Sequence, residues 1–304
     1  MFRKILHKYR QSSWLLGFVP NGLDGLLASE VQWISNGKYT NKWFADPFIM
    51  DMNDSSIIIL AEEFDYNIQR GRIAKLLVNR KTMTIEDCRI LLDLDTHLSF
   101  PFIWKVDDEI YVAPENYQSG TWNLYRYNKQ TDLLDFVVKL VESPLTDATI
   151  FNTKDSNYIL STFEPRPNGS SLFVWELDYM NFPKVISRPL TSIEFNENVA
   201  RNAGGIFLYN NKLIRPAQES NHTYGHALVF QVIDIEKGKI ECKEMCRLLS
   251  PHPSYREGMH TFNAYNEAAV VDVKGFRYPN VATLINLFSH IAVKLHIKKK
   301  YIIH

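Results

Sequence analysis

Strand-length runs dominate the hydrophobic pattern of this chain. Those at 57–60, 110–113, 158–160 and 213–214 are β-branched and aromatic, too short for helices, and bounded by turn residues. Each runs into a polar end, at Glu62 and Glu63, Pro114 and Glu115, Glu164, and Gln218. Each also follows a related motif, clearest as Trp43-Phe44-Ala45-Asp46-Pro47-Phe48-Ile49-Met50. Degraded copies stand at Phe100-Pro101-Phe102-Ile103-Trp104, Asp147-Ala148-Thr149-Ile150-Phe151, Ala203-Gly204-Gly205-Ile206-Phe207 and Thr261-Phe262-Asn263-Ala264-Tyr265. Counted from 46, 100, 147, 203 and 261, the steps are 54, 47, 56 and 58 residues. Third apolar runs follow at 73–78, 124–127, 172–175 and 228–232, and fourth runs at 88–92 and 136–141. Repeats of this period with three or four antiparallel strands each predict an all-β fold, a five-bladed β-propeller over 14–279. The blades are expected at 43–95, 96–142, 143–196, 197–250 and 251–279. Residues 14–20 would lend a strand to the short last unit, and 21–42 would connect it to the first.

Because the innermost strands of a propeller line its channel, matching polar positions converge on one cavity. The first-strand set is Asp46, Ser99, Asp147, Asn202 and His260, allowing a slip of one residue; the second-strand set is Glu62 or Glu63, Glu115, Glu164, and Gln218 or Glu219. One funnel should therefore collect carboxylates from blades far apart in sequence.

Composition adds limits. With 45% hydrophobic and 13% aromatic residues the chain has material for a packed core and no sign of disorder. Cys88, Cys242 and Cys246 form no disulfide framework and no metal-ligand pattern, which favours buried thiols in a reducing compartment. The apolar run at 14–19 is too short for a secretory core, so a cytoplasmic protein is expected. Formal charge is zero, yet it is segregated. Arg3, Lys4, Lys8 and Arg10 in 1–14 and Lys294, Lys298, Lys299 and Lys300 in 281–304 stand without an acid. Taking these eight from the 34 basic residues leaves 26 against 34 acids, so the rest of the chain is acidic. Phe2, Ile5, Leu6 and Tyr9, and again Val281, Leu284, Ile285, Phe288, Ile291, Ala292 and Leu295, recur at helical spacing. A basic amphipathic segment at 1–13 and a C-terminal amphipathic helix at 280–304 are expected. Either could pack on the propeller, or lie peripherally on an anionic inner membrane face, where each cation contributes about 1 kcal/mol. His290 and Lys294 interrupt the tail too often for a membrane span. The acidic body argues against nucleic acid.

Several motifs occur together in one order: Phe44-Ala45-Asp46-Pro47-Phe48, Gly71-Arg72-Ile73, His97-Leu98-Ser99-Phe100-Pro101, Pro114-Glu115, Asp147-Ala148-Thr149-Ile150-Phe151, Arg201-Asn202-Ala203-Gly204-Gly205, Ala217-Gln218, Tyr224-Gly225 and Gly258-Met259-His260. In these the chain resembles the N-terminal domain of plant glucosamine inositolphosphorylceramide transferase and its bacterial relatives, over about 14–279. That domain is in turn similar to the propeller glycosidases of families 43, 32, 68 and 130. The resemblance implies a carbohydrate-handling site, with Asp46 at the place of the first-blade base or nucleophile. The chain departs from the glycosidases in the second blade, where Ser99-Phe100-Pro101 replaces an aspartate.

Chemistry at a glycosidic bond requires a carboxylate near the anomeric carbon and an acid at the leaving oxygen. Asp46, Glu115 and Asp147 are the candidate catalytic residues, as base or nucleophile, as acid, and as the group that orients sugar hydroxyls or tunes the acid. Against this, Asp46-Pro47 is also a strand-entry turn in which the carboxylate caps backbone N–H groups. Glu63, Arg72, His97, Glu164, Arg201, Gln218, Tyr224 and His260 are the candidate substrate-binding residues, although the arginines would serve equally well in inter-blade ion pairs. No cofactor or metal is expected: there is no phosphate loop, and Asp93-Leu94-Asp95 has the Asp-x-Asp form but follows a β run toward the blade exterior. Three functions are consistent with these residues. They are an enzyme forming or rearranging a glycosidic bond in cell-surface polysaccharide or glycolipid assembly (glycosyltransferase-like), a hydrolase of the family 43 type, and a non-catalytic sugar-binding scaffold. The partner would be a carbohydrate or glycolipid, with a nucleotide sugar as possible donor.

Overall fold

The computed structural model describes residues 11–106, 108–153, 156–236 and 239–278. The helix expected at 280–304, and all but residues 11–13 of the basic N-terminal segment, lie outside the described residues.

Among the described residues, twenty strands form five four-stranded antiparallel sheets, the five-bladed propeller that the repeat predicts. Blade one comprises β3 (Lys42–Met52), β4 (Ser56–Asp65), β5 (Arg70–Asn79) and β6 (Thr84–Leu92). Blade two comprises β7 (Ser99–Val106), β8 (Glu109–Glu115), β9 (Trp122–Asn128) and β10 (Leu133–Val141). Blade three runs through β11 (Leu145–Asn152), β12 (Asn157–Phe163), β13 (Ser171–Asn181) and β14 (Lys184–Glu194). Blade four runs through β15 (Phe207–Tyr209), β16 (Lys212–Glu219), β17 (Ala227–Glu236) and β18 (Lys239–Leu248). Blade five joins the two ends of the chain, with β19 (Phe262–Tyr265) and β20 (Ala268–Phe276) followed by β1 (Ser12–Val19) and β2 (Gln32–Trp33). Strand β1 pairs with β20 from Ser12 opposite Phe276 to Val19 opposite Ala269, which closes the ring by hydrogen bonds.

Stretch 21–42, expected only to connect, also supplies the outer strand of blade five and a short helix α1 (Gly22–Leu27). A two-residue strand is too short to register as an alternating pattern. Helix α1 buries Leu23 and Leu26 against blades four and five.

Sheets stacked on both sides explain why middle strands read as almost continuous apolar runs. Five hydrophobic clusters fill the five gaps between neighbouring blades. Leu60, Ile73, Val112 and Tyr125 lie between the first two, for example, and Trp104, Trp122, Ile159 and Trp175 between the next two. Close approach limits side-chain size where blade four meets blade five. Gly204 has φ +153°, and a Cβ there would overlap the carbonyl oxygen of Phe262. Gly204→Ala is therefore expected to cost about 3 kcal/mol or more, read as a lower urea midpoint. A change below about 0.5 kcal/mol, the level of an ordinary surface substitution, would show that this packing is wrong.

Candidate functional site

Inner strands β3, β7 and β11 share one irregularity. Their pairing with the next strand skips between Ala45 and Phe48, between Ser99 and Phe102, and between Thr146 and Thr149. At each skip one residue adopts a left-handed backbone: Asp46 (φ +50°), Phe100 (φ +42°) and Asp147 (φ +44°). Aspartate tolerates this conformation; phenylalanine does so only where its surroundings impose it. Each bulge releases a backbone N–H from the sheet, and a buried carboxylate accepts it. Asp272 Oδ2 takes Asp46 N–H at 2.9 Å, Asp46 Oδ2 takes Phe100 N–H at 3.1 Å, and Glu115 Oε2 takes Asp147 N–H at 2.8 Å. The carboxylates are thus fixed by the bulges of neighbouring blades, and the repeat is aligned at Asp46, Phe100 and Asp147, with Ser99 one position earlier.

Of these groups, Asp46 and Glu115 line a cavity of about 820 Å³. Its walls include Trp14, Trp43, Phe64, Tyr117 and Tyr224, and its polar lining includes Asp46, Glu62, His97, Ser99, Glu115, Glu164, Asn168, Arg201 and His260. Trp43 lies flat on Phe64, ring centroids 4.7 Å apart, and Trp14 lies flat on His260 at 3.9 Å. The result is a polar floor between aromatic walls, which is how a site meets both the hydroxyl edges and the C–H faces of a polar ring.

Two buried networks hold the floor. Arg201 donates to Asp147 through Nε (2.6 Å) and Nη2 (3.2 Å), to Glu115 Oε2 (3.0 Å) and to Asn168 Oδ1 (3.1 Å), with its guanidinium over the Tyr224 ring. Gln218 also donates to Asp147, and Asn202 donates to its carbonyl at 2.7 Å. Burial pushes the Asp147 carboxyl up, but the Arg201 charge and hydrogen bonds outweigh it and hold the pKa below the ordinary value. For Glu115 burial wins over Arg201, with the Asp147 charge adding to it, and the pKa lies well above the usual range. Since Glu115 Oε2 accepts two N–H groups, a proton on this residue sits on Oε1.

The second network centres on Asp272. Its Oδ1 accepts the N–H groups of His260 (3.3 Å) and Thr261 (3.0 Å) and contacts His260 Nδ1 at 2.8 Å. That contact gives neutral His260 its proton on Nδ1 and turns Nε2 toward Asp46 Oδ1, 3.7 Å away. The Thr261 hydroxyl donates to the same Asp46 oxygen at 2.8 Å. Burial, offset by His260 and reinforced by Asp147, Asp272 and Glu62, pushes Asp46 up to about 7. Burial opposes charge on His260, but Asp272 and Asp46 outweigh it and raise its pKa. Ligand atoms of Asp46, His260 and Asp272 lie within 4.8 Å of one another, close enough to surround a cation. Such an ion would have to displace N–H donors from Asp272.

Residues 29–273 match the family model described as glucosamine inositolphosphorylceramide transferase 1, N-terminal. The chain belongs to that family. It is 27% identical over 241 residues to glucosamine inositolphosphorylceramide transferase 1 of Arabidopsis thaliana, covering 77% of this chain and 31% of the relative. The chain thus spans about a third of the length of the curated relatives it matches. In fold it is similar to a family 43 glycoside hydrolase from Xanthomonas citri solved with xylose (TM-score 0.52, 10% identity, 77% of this chain and 87% of that one). It is also similar to the exo-β-1,3-galactanase of Phanerochaete chrysosporium solved with β-1,3-galactotriose (TM-score 0.51, 9% identity, 70% and 53%). The span matched by the transferase N-terminal family holds every lining residue named above except Trp14.

Of the residues expected in the site, Asp46, His97, Glu115, Glu164, Arg201, Tyr224 and His260 line the cavity. Asp147 and Gln218 sit behind it, reaching it through Arg201. Glu63 and Arg72 are placed elsewhere. They pair with each other at 3.0 Å, with Lys42 on Glu63 and Asp93 on Arg72, because strand alternation turns Glu62 rather than Glu63 to the funnel. Glu62 in turn meets His97 Nε2 at 3.2 Å, while His97 Nδ1 accepts Gly71 N–H at 3.0 Å. Asp93 is held by Arg70 and Arg72, but Asp95, expected toward the blade exterior, lines the funnel. Asp272 was missed by the sequence reading. Its signal is a lone aspartate inside the buried run 268–273, at the second-strand place of blade five.

Proposed function

We propose that the funnel binds a sugar and that its carboxylates act at a glycosidic bond, in assembly of a cell-surface polysaccharide or glycolipid. The observation that carries this is the separation of three neighbouring carboxyls by their surroundings: Glu115 well above the ordinary range, Asp46 at about 7 and Asp147 below it. Groups whose pKa values are driven apart within one cleft are the material of acid and base roles. On this reading Glu115 donates its Oε1 proton to the leaving oxygen. Asp46, ionised, supports the developing positive charge at the anomeric carbon or activates the acceptor hydroxyl. Asp147 keeps Arg201 in place and so holds Glu115 in position. The name of the curated relatives supports a transferase over a hydrolase, with a nucleotide sugar or a glycolipid as donor. A binding-only module is the second reading, favoured by the close engagement of Asp147 by Arg201 and Gln218.

Trp43 and Phe64 would form the face on which the sugar lies. Trp43→Ala is expected to weaken binding of whichever sugar, nucleotide sugar or inositol phosphate the wild type takes by about tenfold or more, read by fluorescence titration. Unchanged affinity would remove the aromatic wall from the site.

A further inference from the structure

We propose that Glu62 and His97 form a paired acceptor and donor that reads two adjacent free hydroxyls on the edge of the bound sugar. This rests on the funnel being a sugar site and names what that site selects. Glu62 is 5% exposed and lines the cavity, yet its Oε1 has no hydrogen-bond partner among the described residues. His97 Nε2 stands 3.2 Å from that oxygen, near enough for attraction but not aligned for a hydrogen bond. A buried carboxylate left in this state is costly unless another group donates to it. Its neighbours on the floor are already engaged: Asp46 accepts from Phe100 N–H and the Thr261 hydroxyl, and Glu115 from Asp147 N–H and Arg201.

The pair is held in place by its surroundings. Gly71 N–H donates to His97 Nδ1 at 3.0 Å, so the neutral ring carries its proton on Nε2, beside Glu62. The Gln118 side-chain oxygen accepts His97 N–H at 2.9 Å. Position 71 requires glycine, because a Cβ there would stand 2.5 Å from Glu62 Oε1 and 2.8 Å from His97 Cε1. Location on the strand then points to the ligand. Glu62 and Phe64 alternate onto the same face of β4 and both line the cavity, so the carboxylate lies beside the aromatic face of Trp43 and Phe64. A sugar resting its C–H face there turns its hydroxyl edge to Glu62. A hydroxyl donates and accepts at once, so it can satisfy Glu62 and accept from His97 Nε2–H. An ammonium offers donors alone and leaves that N–H facing another donor. The two carboxylate oxygens suit two neighbouring hydroxyls, and the substrate class is therefore a neutral sugar ring with an unsubstituted vicinal diol.

The test titrates the full chain, wild type and Glu62→Gln, by NMR with the methyl β-glycosides of glucose, galactose and xylose and with the singly deoxygenated analogues of each. For a glycoside that the wild type takes, loss of either of two adjacent hydroxyls should weaken binding by about 10–100-fold in the wild type and by less than about threefold in Glu62→Gln. In urea without sugar, the variant should unfold at no lower concentration than the wild type, since it loses a charge and no hydrogen bond of Oε1. Equal losses in the two proteins would overturn this proposal alone and leave the funnel as a sugar site. A lower urea midpoint for the variant would also overturn it, by making Glu62 a structural partner of His97. A wild type that takes none of these glycosides would overturn it together with the sugar reading.

Discussion

Arg201→Met is expected to cost about 3–5 kcal/mol of folding stability, the usual consequence of leaving buried carboxylates without their cation. Arg201 is 9% exposed, Asp147 1% and Glu115 5%. The sign of the pH dependence follows from Asp147. In the wild type its pKa is held below the ordinary value, so its stabilising contribution is present above the unfolded pKa and is lost as pH falls through the folded one. Without Arg201, the strongest influence opposing burial is gone and the folded pKa rises above the unfolded one. The contribution is then lost as pH rises instead. The deficit of the variant should accordingly be small near pH 4 and full near pH 7, as read from urea midpoints at the two values. A deficit equal at both would show that Arg201 stabilises by packing on Tyr224 and not by charge.

Asp46→Asn should lower turnover at the glycosidic bond by about 10²–10⁴-fold while leaving the funnel able to bind. Its effect on stability has the opposite sign. Asp46 has a folded pKa near 7, above that of an ordinary aspartate, so its contribution is present at low pH and lost as pH rises through about 7. An uncharged Asn escapes that loss, and its oxygen can still accept from Phe100 N–H. The variant should therefore gain on the wild type in urea melts between about pH 5 and pH 8. A residue kept at the expense of stability is what a functional group looks like; an Asp46 whose replacement destabilises at every pH would be architecture.

The fold was legible because a propeller repeats its instructions. The Asp46-Pro47 motif and its copies mark inner strands, and the polar ends of the second runs mark the funnel. Two features escaped because they depend on which way a strand faces. Glu62 and Glu63 are chemically alike, and only the register of β4 against β5, which sets Glu63 opposite Arg72, assigns one to an ion pair and the other to the cavity. Phe100 could not announce that its backbone N–H, not its side chain, completes the ring of bulges. Asp272 showed in the sequence only as a lone aspartate in an apolar run, and nothing there told that its carboxylate would take the N–H groups of Asp46, His260 and Thr261. Arg201 and His260 were legible as types, but their partners Glu115, Asp147 and Asp272 come from other strands, and only the closed ring brings them together.

The most direct test of the sugar-chemistry reading is to titrate wild type and Asp46→Asn with one panel of sugars, nucleotide sugars and inositol phosphates, watching bound ligand and product together by NMR. Both proteins should bind the same ligand in the funnel, and only the wild type should convert it. Equal binding with no conversion by either, under conditions where lipid-borne and free acceptors are both supplied, would contradict the catalytic account and leave this propeller as a binding module.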